Sequence, residues 1–423
     1  MKKNFRLFFI VLISSMAVFA LQYGAKAALM KLFDTSYAYA ANTFVGPLSL
    51  EKKVKEQAQS ELQQQITTWK TTPHVQLQYG ETTFFVPVDV FSFDVTESIK
   101  NIKSGQHSSI SVSIQANKLD TLLLDQLNPE IADQVDRNKL EKDLVKAASS
   151  LESKTSLQLV RYIDVQKASK AISQATASST ASYQEGLQQW MSQLGTVTIP
   201  AKGELSVTNV AVQKNLNIDD GSLSVISSLM YEAVAPTNFQ VRKRNTSMVL
   251  PAYAKLGLEA YIEQGKSDFV FYNPNDTDYT FQFSLDGTSM GVSLQGLPFV
   301  YTYVTNKNEV ETIDAREIQQ YVIQNETKND AVTAESKGKN GFAVTVYREQ
   351  YKNGNLITRD KIGQDFYLQV NGVKNIQVAS QAAQSTIQTP TNGQTTQQAT
   401  TSYTNPSTTQ TTVQNQSNTT NGK

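Results

Sequence analysis

The sequence predicts an α+β fold with three parts. These are an N-terminal module of mixed helix and strand, a central strand-rich domain with one main helix, and a C-terminal β-hairpin, followed by a disordered polar tail. Three observations predict it. Amphipathic helical stripes and alternating apolar strands interleave without the regular alternation of a doubly wound sheet. Asn353-Gly354 stands between two long strand-like runs, a strong hairpin signal. The 423 residues include no cysteine, so no disulfide scaffold is available and the core has to hold unaided.

At the N-terminus, Lys2, Lys3 and Arg6 precede an uncharged run from Leu7 to Ala25. Cations before an apolar run place the N-terminus in the cytoplasm, and the run approaches the roughly 20 residues that cross a bilayer. Small-x-small sites at Ala25-Lys26-Ala27 and Ala38-Tyr39-Ala40 also fit signal cleavage. The expectation is an uncleaved single-pass anchor with the rest of the chain extracytoplasmic; the alternative is secretion after cleavage.

Residues 48 to 70 predict a helix whose stripe is Val54, Ala58, Leu62, Ile66 and Trp69, with Ser49 as its N-cap. Alternation in residues 75 to 79 and 82 to 93 predicts two strands turning at Gly80-Glu81, and DVTESIK begins a short helix at Asp94. A strand follows through Ile110, Val112 and Ile114. A helix over 137 to 151 carries Leu140, Leu144, Ala147, Ala148 and Leu151, and residues 157 to 163 read as a strand. Residues 166 to 188, rich in Ala, Ser, Thr and Gln, read as a weak surface helix or a linker. Strands around one helix (Ser222 to Val234) follow, and residues 305 to 340 are polar. The last part of the chain, from 378, is almost all Thr, Gln, Ser, Asn and Ala, a composition that buries too little apolar surface to order. The expected domains are 1–43 (signal-anchor and membrane-proximal segment), 44–165, 166–195 (linker), 196–304, 305–376 (β-rich closing segment) and 377–423 (tail).

Composition excludes several chemistries. With 38 basic and 38 acidic residues the net charge is zero, which removes the electrostatic case for nucleic acid. Without cysteine there is no thiolate catalysis and no cysteine metal site. The two histidines, His74 and His107, sit at a strand entry and after a helix-stopping glycine, where solvated turn roles are expected. Asp219-Asp220 precedes a helix and complements its dipole. NPNDTD (residues 273 to 278) lacks the glycine and distal glutamate of an EF-hand loop and reads as a turn. The 18 Tyr and 18 Phe cluster in strands such as Phe269 to Phe283; core packing is expected, and stacking on sugar rings is the functional alternative. No metal, catalytic residue or cofactor is implied.

Residues 221 to 260, GSLSVISSLMYEAVAPTNFQVRKRNTSMVLPAYAKLGLEA, resemble the signature of the VanW-like family of bacterial envelope proteins. That pattern runs Gly-Gly-Gly-Val-Cys-Gln-Val-Ser-Ser-Thr-Leu-Tyr, then Glu-Arg-His-x-His-Ser, then x-Pro-x-Tyr-x-x-x-Gly-x-Asp-Ala. Ser227, Ser228, Tyr231, Pro251, Tyr253, Gly257 and Ala260 match it, and Glu259 replaces the aspartate. The family cysteine falls on Ser224, and the two histidines fall on Asn245 and Ser247. Residues 196 to 209 and 268 to 283 are similar to flanking strands of that family. Residues 338 to 367 resemble its closing hairpin, which is similar in turn to the G-five domain. Residues 48 to 165 resemble a peptidoglycan-binding module that often precedes a VanW-like region.

The resemblance implies a location and a fold more than an activity. A serine nucleophile at Ser224 needs a base, and the family's histidine positions hold none. A capping role is expected for Ser222 or Ser224, and packing or turn roles for the matched positions. Three functions follow. The first is a non-enzymatic, membrane-anchored binding or structural protein with peptidoglycan as its implied ligand. The second is an accessory subunit of an envelope assembly such as a secretion or pilus apparatus, with other envelope proteins as partners. The third is a wall-polymer-modifying enzyme using carboxylates.

Overall fold

The computed structural model describes residues 38–178, 180–323 and 334–378. The apolar run of the expected anchor and the tail from residue 379 lie outside the described residues. Among those described, no helix is long and apolar enough to cross a membrane. The described residues fall into two units: one comprises 38–178, 180–320 and 334–375, and the other comprises the strand ends 321–323 and 376–378.

The fold is α+β. Its N-terminal part contains β1 (Phe44–Val45), β2 (Leu48–Ser49), α1 (Lys55–Trp69), β3 (Val75–Tyr79), β4 (Thr82–Phe85) and β5 (Phe91–Asp94). Then come α2 (Val95–Lys100), β6 (His107–Ser108), β7 (Ser111–Ile114), α3 (Ala116–Gln126), α4 (Pro129–Ala132), α5 (Arg137–Ser149), β8 (Thr155–Gln158) and α6 (Val165–Ala168). The expected α1 stripe is the buried one: Ala58, Leu62, Ile66 and Trp69 face the core. The helix starts later than its stripe suggested, because Ser49 pairs in β2 and Val54 stands at the N-cap. Residues 157 to 163 are not one strand. β8 stops at Gln158 and a 3-10 turn over Leu159–Tyr162 buries Leu159 and Tyr162. Asp94 and Asp136 cap α2 and α5 by accepting the backbone N–H of Glu97 and Lys139.

The central part holds β9 (Lys170–Ala177), α7 (Gln184–Leu194), β10 (Thr196–Ile199), β11 (Glu204–Ser206), α8 (Val207–Gln213) and α9 (Asp220–Val234). β12 (Gln240–Lys243), β13 (Val270–Tyr272), β14 (Tyr279–Asp286) and β15 (Ser289–Gly296) complete it. A four-stranded antiparallel sheet runs β10-β14-β15-β9, and a three-stranded one runs β11-β13-β12. Residues 170 to 177 are therefore a sheet strand, not the weak helix or linker that their composition suggested. Phe269, Phe271, Tyr279, Phe281 and Phe283 are all buried in the core between these elements, so the strand aromatics pack rather than present faces to solvent. α9 and α7 cover the four-stranded sheet.

β16 (Thr302–Ile313), β17 (Glu317–Ile323), β18 (Gly341–Lys352), β19 (Asn355–Tyr367) and β20 (Gly372–Val378) close the chain. β18 and β19 form the expected hairpin, with Asn353 and Gly354 both at positive φ (50° and 79°), the geometry the dipeptide favours. β16 pairs with the other side of β18, and β17 pairs with β20.

Candidate functional site

The signature residues converge on one helix and the two loops beside it. α9 begins at Asp219, whose carboxylate accepts the Ser222 backbone N–H at 2.9 Å. Asp219 is the cap, so neither Ser222 nor Ser224 has that role. The hydrogen bonds of the capping carboxylate outweigh the cost of burial and hold Asp219 below the usual carboxylate range. Gly221 lies against Tyr183: a Cβ there would stand 2.6 Å from its ring.

From Asp220 onward, every fourth side chain of α9 binds the backbone of residues 260 to 264. The Asp220 carboxylate accepts the N–H of Gln264 at 3.1 Å, the Ser224 hydroxyl that of Ile262 at 2.9 Å, and the Ser228 hydroxyl that of Ala260 at 3.0 Å. Four helical residues rise about 6 Å and two extended residues about 6.6 Å, so the periods nearly match. The helix thus acts as a neighbouring strand to a segment that belongs to none of the sheets. Ser224 also donates to the Asp220 carbonyl at 2.7 Å, so its hydroxyl is committed on both sides.

Tyr231 and Ser227 lie on the buried faces of the same helix, both fully buried, and neither hydroxyl has a hydrogen-bond partner. The Tyr231 ring carries the Arg244 guanidinium 4.6 Å from its centroid and meets Phe269 edge-on at 5.7 Å. Arg244 grips Asp365 of β19 through both of its terminal nitrogens and donates to the Glu259 carbonyl at 2.7 Å. The side chains are 10% and 1% exposed, so this ion pair is buried. Burial opposes the charge on Arg244, but the Asp365 hydrogen bonds, with Tyr231 and Tyr367 beside them, outweigh it and raise its pKa.

Glu259, at the aspartate position of the resemblance, is fully buried. Both of its oxygens accept the Ser247 backbone N–H at 3.2 Å, and burial keeps its pKa above the ordinary value despite them. The Asn245 carbonyl accepts the Tyr261 N–H at 2.8 Å. At the two histidine positions the chain therefore offers backbone groups. Pro251 opens a turn by accepting the Ala254 N–H at 3.2 Å, and Tyr253 packs edge-on against Tyr183 at 5.4 Å. Gly257 sits at φ +77° in a turn closed from Leu258 to Lys255, and a Cβ there would meet Val346 at 2.5 Å. That glycine is needed for both its backbone and its neighbour.

Residues 203–295 match the family model described as VanW like protein. This region is VanW-like. Two solved structures are similar to the chain. One is the G5 domain of an IgA1 protease, at 15% identity and a TM-score of 0.14, covering 19% of this chain and 90% of that one. The other is the HP0197-G5 domain, at 17% identity and a TM-score of 0.11, covering 17% and 92%. No curated protein matches the chain.

The VanW-like region holds no arrangement for nucleophilic catalysis around Ser224. The histidines are in the N-terminal part: His74 faces the carbonyls of Ser153 and Trp69, and His107 stacks on Phe44 at 4.2 Å. Among the described residues no group of three or more His, Cys, Asp or Glu side chains is placed to hold a metal. NPNDTD is a turn between β13 and β14, built by the amides of Asn238, Asn273 and Asn275 bonding one another. Sequence reading missed Arg244 and Asp365. Arg244 was legible, since it directly precedes Asn245 as arginine precedes histidine in the signature. Asp365 carries no local signal, being 121 residues away from its partner.

Proposed function

We propose that the chain is a non-enzymatic envelope protein, anchored in the membrane by its N-terminal run, whose extracytoplasmic part associates with peptidoglycan. The observation that carries the non-enzymatic part is the commitment of Ser224. Its hydroxyl holds the Ile262 amide and the Asp220 carbonyl, and the family's histidine positions, Asn245 and Ser247, carry no side chain that can act as a base. A general base within hydrogen-bond reach is what a nucleophilic serine requires, and none stands there. The wall ligand is supported by the VanW-like region and by the resemblance of residues 48 to 165 to a wall-binding module. The location is supported by Lys2, Lys3 and Arg6 before the apolar run.

Cosedimentation of the full chain in mild detergent with purified peptidoglycan tests the ligand. Retention above that of an unrelated detergent-solubilised protein is expected, and equal retention removes peptidoglycan. Muropeptide profiles after incubation should be unchanged; a new product peak lost in Asp219→Asn or Asp220→Asn would make the protein an enzyme.

A second reading, an accessory subunit of an envelope assembly, is favoured by β19. It is an outer strand of its sheet, and Leu356, Ile357 and Phe366 on it are more than half exposed (52%, 51% and 55%). Crosslinking in cells followed by mass spectrometry separates the two: protein crosslinks mapping to β19 favour assembly, and crosslinks to wall fragments favour the first reading.

A further inference from the structure

A cavity lies where the β3–β4 turn meets the β13–β14 loop and the segment leading into β16. Tyr79, Tyr279, Phe299 and Tyr303 supply rings to its wall, and Glu81 and Asp276 supply carboxylates; no lysine or arginine is among the described residues that line it. That composition sets it apart from the groove beside β12, whose lining includes Arg242, Lys243 and Lys266. In a chain of zero net charge, the two sites carry opposite local charge.

The rings are fixed. Tyr79 donates its hydroxyl to the Pro298 carbonyl and Tyr279 to that of Leu297, each at 2.7 Å. Tyr279 and Phe299 stack with centroids 5.6 Å apart and planes 15° from parallel, and Tyr303 meets Phe299 edge-on at 5.6 Å. With two hydroxyls already bonded to main chain, these rings offer the cavity π surface more than hydrogen bonds. The carboxylates are less settled. Asp276 pairs through one oxygen with Lys202 at 3.1 Å, while its other oxygen is buried without a hydrogen-bond partner. Glu81 is exposed at the rim, close enough to Tyr303 that, after burial, its charge is the next cause raising that phenol's pKa. Arg348 approaches the Tyr303 ring to 6.0 Å but is bonded to the carbonyls of Thr237 and Phe239.

Aromatic faces beside carboxylates attract a cation, because the ring quadrupole and the carboxylate act with the same sign. The space limits which cation. The cavity has a volume of about 30 Å³. That is about a fifth of the ~150 Å³ cavity that holds a benzene, so only a small group enters. A sugar ring or a trimethylammonium head is too large; an ammonium nitrogen with its adjoining methylene fits. We propose that this cavity takes the primary ammonium end of an alkyl-amine side chain, such as that of lysine or another diamino acid within a peptide. Because N-terminal, VanW-like and β16-proximal residues all line the cavity, the same ligand would tie these three segments together.

The test is independent of wall binding. Saturation-transfer NMR on the full chain would use Nα-acetyl-L-lysine methylamide, with the norleucine analogue as a neutral probe of nearly equal length. The lysine probe should receive saturation most strongly at its ε-methylene and bind about tenfold more tightly than the norleucine probe, as about 1.4 kcal/mol of cation recognition gives. Glu81→Gln, at an exposed position, should leave the melting temperature unchanged and weaken lysine binding several-fold. Tyr303→Phe keeps the ring and should bind within about twofold of the original. Raising salt from 0.05 to 0.5 M should weaken the lysine probe and spare the neutral one. No transfer to the lysine probe, equal binding of the two probes, or a Glu81→Gln protein that binds lysine as well as the original would each overturn the proposal. A Glu81→Gln protein that melts early is replaced by the salt comparison, which decides in the same way.

Discussion

Two polar regions of this molecule use the same kinds of side chain to opposite ends. Around α9, Asp220, Ser224, Ser228, Arg244, Glu259 and Asp365 are consumed by one another and by main chain. Around the aromatic cavity, an exposed Glu81 and a half-paired Asp276 face rings whose hydroxyls are already tied down. A buried polar group without a partner is costly, so a region whose polar groups answer each other is built to hold shape. A region that leaves carboxylates beside open space is built to meet something. The side chains that match the VanW-like signature are thus taken up by contacts within the fold, while the two carboxylates beside the cavity, Glu81 and Asp276, lie outside the 221 to 260 stretch.

The sharpest way to break this contrast is to remove one member of the buried ion pair. Arg244→Ala leaves Asp365 charged and buried with its main partner gone, which costs about 3 to 5 kcal/mol. Tyr231→Ala should cost a similar amount, about 3 to 5 kcal/mol, as other buried aromatic truncations do. Glu81→Gln, on the cavity rim, should stay within about 0.5 kcal/mol of the original. Urea unfolding of the three variants checks the ranking. An Arg244→Ala protein losing under about 1 kcal/mol would mean that the cluster is not structural in the sense argued.

The helix–backbone ladder predicts a middle tier. Ser224→Ala and Ser228→Ala each strand a buried backbone N–H, at about 1 to 3 kcal/mol apiece. Simple loss of a cap would cost about 1 kcal/mol. The two tie down one segment, so the double variant should depart from additivity. Hydrogen exchange offers a local reading: the amides of Ala260 and Ile262 should lose protection first. If they exchange as slowly in the double variant as in the original, the serines are not what holds that segment.

Much of this was legible in the sequence, and what was not has physical reasons. The stripe of α1, the start of α2 at Asp94 and the Asn353-Gly354 hairpin are local signals, and local signals survive without a structure. β9 was missed because its inward side chains are Ala175 and Ala177, small enough for α9 to lie close, so it carries no apolar alternation. The ladder was half visible. Asp220, Ser224 and Ser228 recur every fourth residue, but what they bind is main chain, which no residue type announces. The Arg244–Asp365 pair and the cavity join distant stretches of chain, and nothing in either stretch points to the other.

Glu259 makes the contrast depend on pH. Burial raises its folded-state pKa above the unfolded value, so the folded protein binds this proton more tightly than the unfolded chain. Stability is then lost as pH rises from the ordinary glutamate range through the folded pKa, and the loss is complete above it. Glu259→Gln carries no such proton. Subtracting its stability curve from that of the original, between about pH 4 and pH 8, should give a difference that moves against the original as pH rises. Carboxylates held low, such as Asp219, contribute with the opposite sign but equally to both proteins, so they cancel in the subtraction. A flat difference would show that the carboxyl keeps an ordinary pKa despite its burial.

The smallest expected effect probes the one gap in the α9 region. Tyr231 and Ser227 each bury a hydroxyl with no hydrogen-bond partner, amid side chains that are otherwise answered. If the region is scaffold, those hydroxyls do nothing and their desolvation is a net cost. Tyr231→Phe keeps the ring beneath Arg244 and removes only the oxygen; Ser227→Ala does the same for the serine. Both should be neutral or stabilising, within about 1 kcal/mol, because an unpaired buried polar group is removed without leaving another behind. The ring matters in the first case: its contact with the guanidinium persists in phenylalanine, so the buried ion pair keeps its cover. A drop of 2 kcal/mol or more in either variant would show that the hydroxyl has a partner in solution. The α9 region would then, like the cavity, be holding a place for something else.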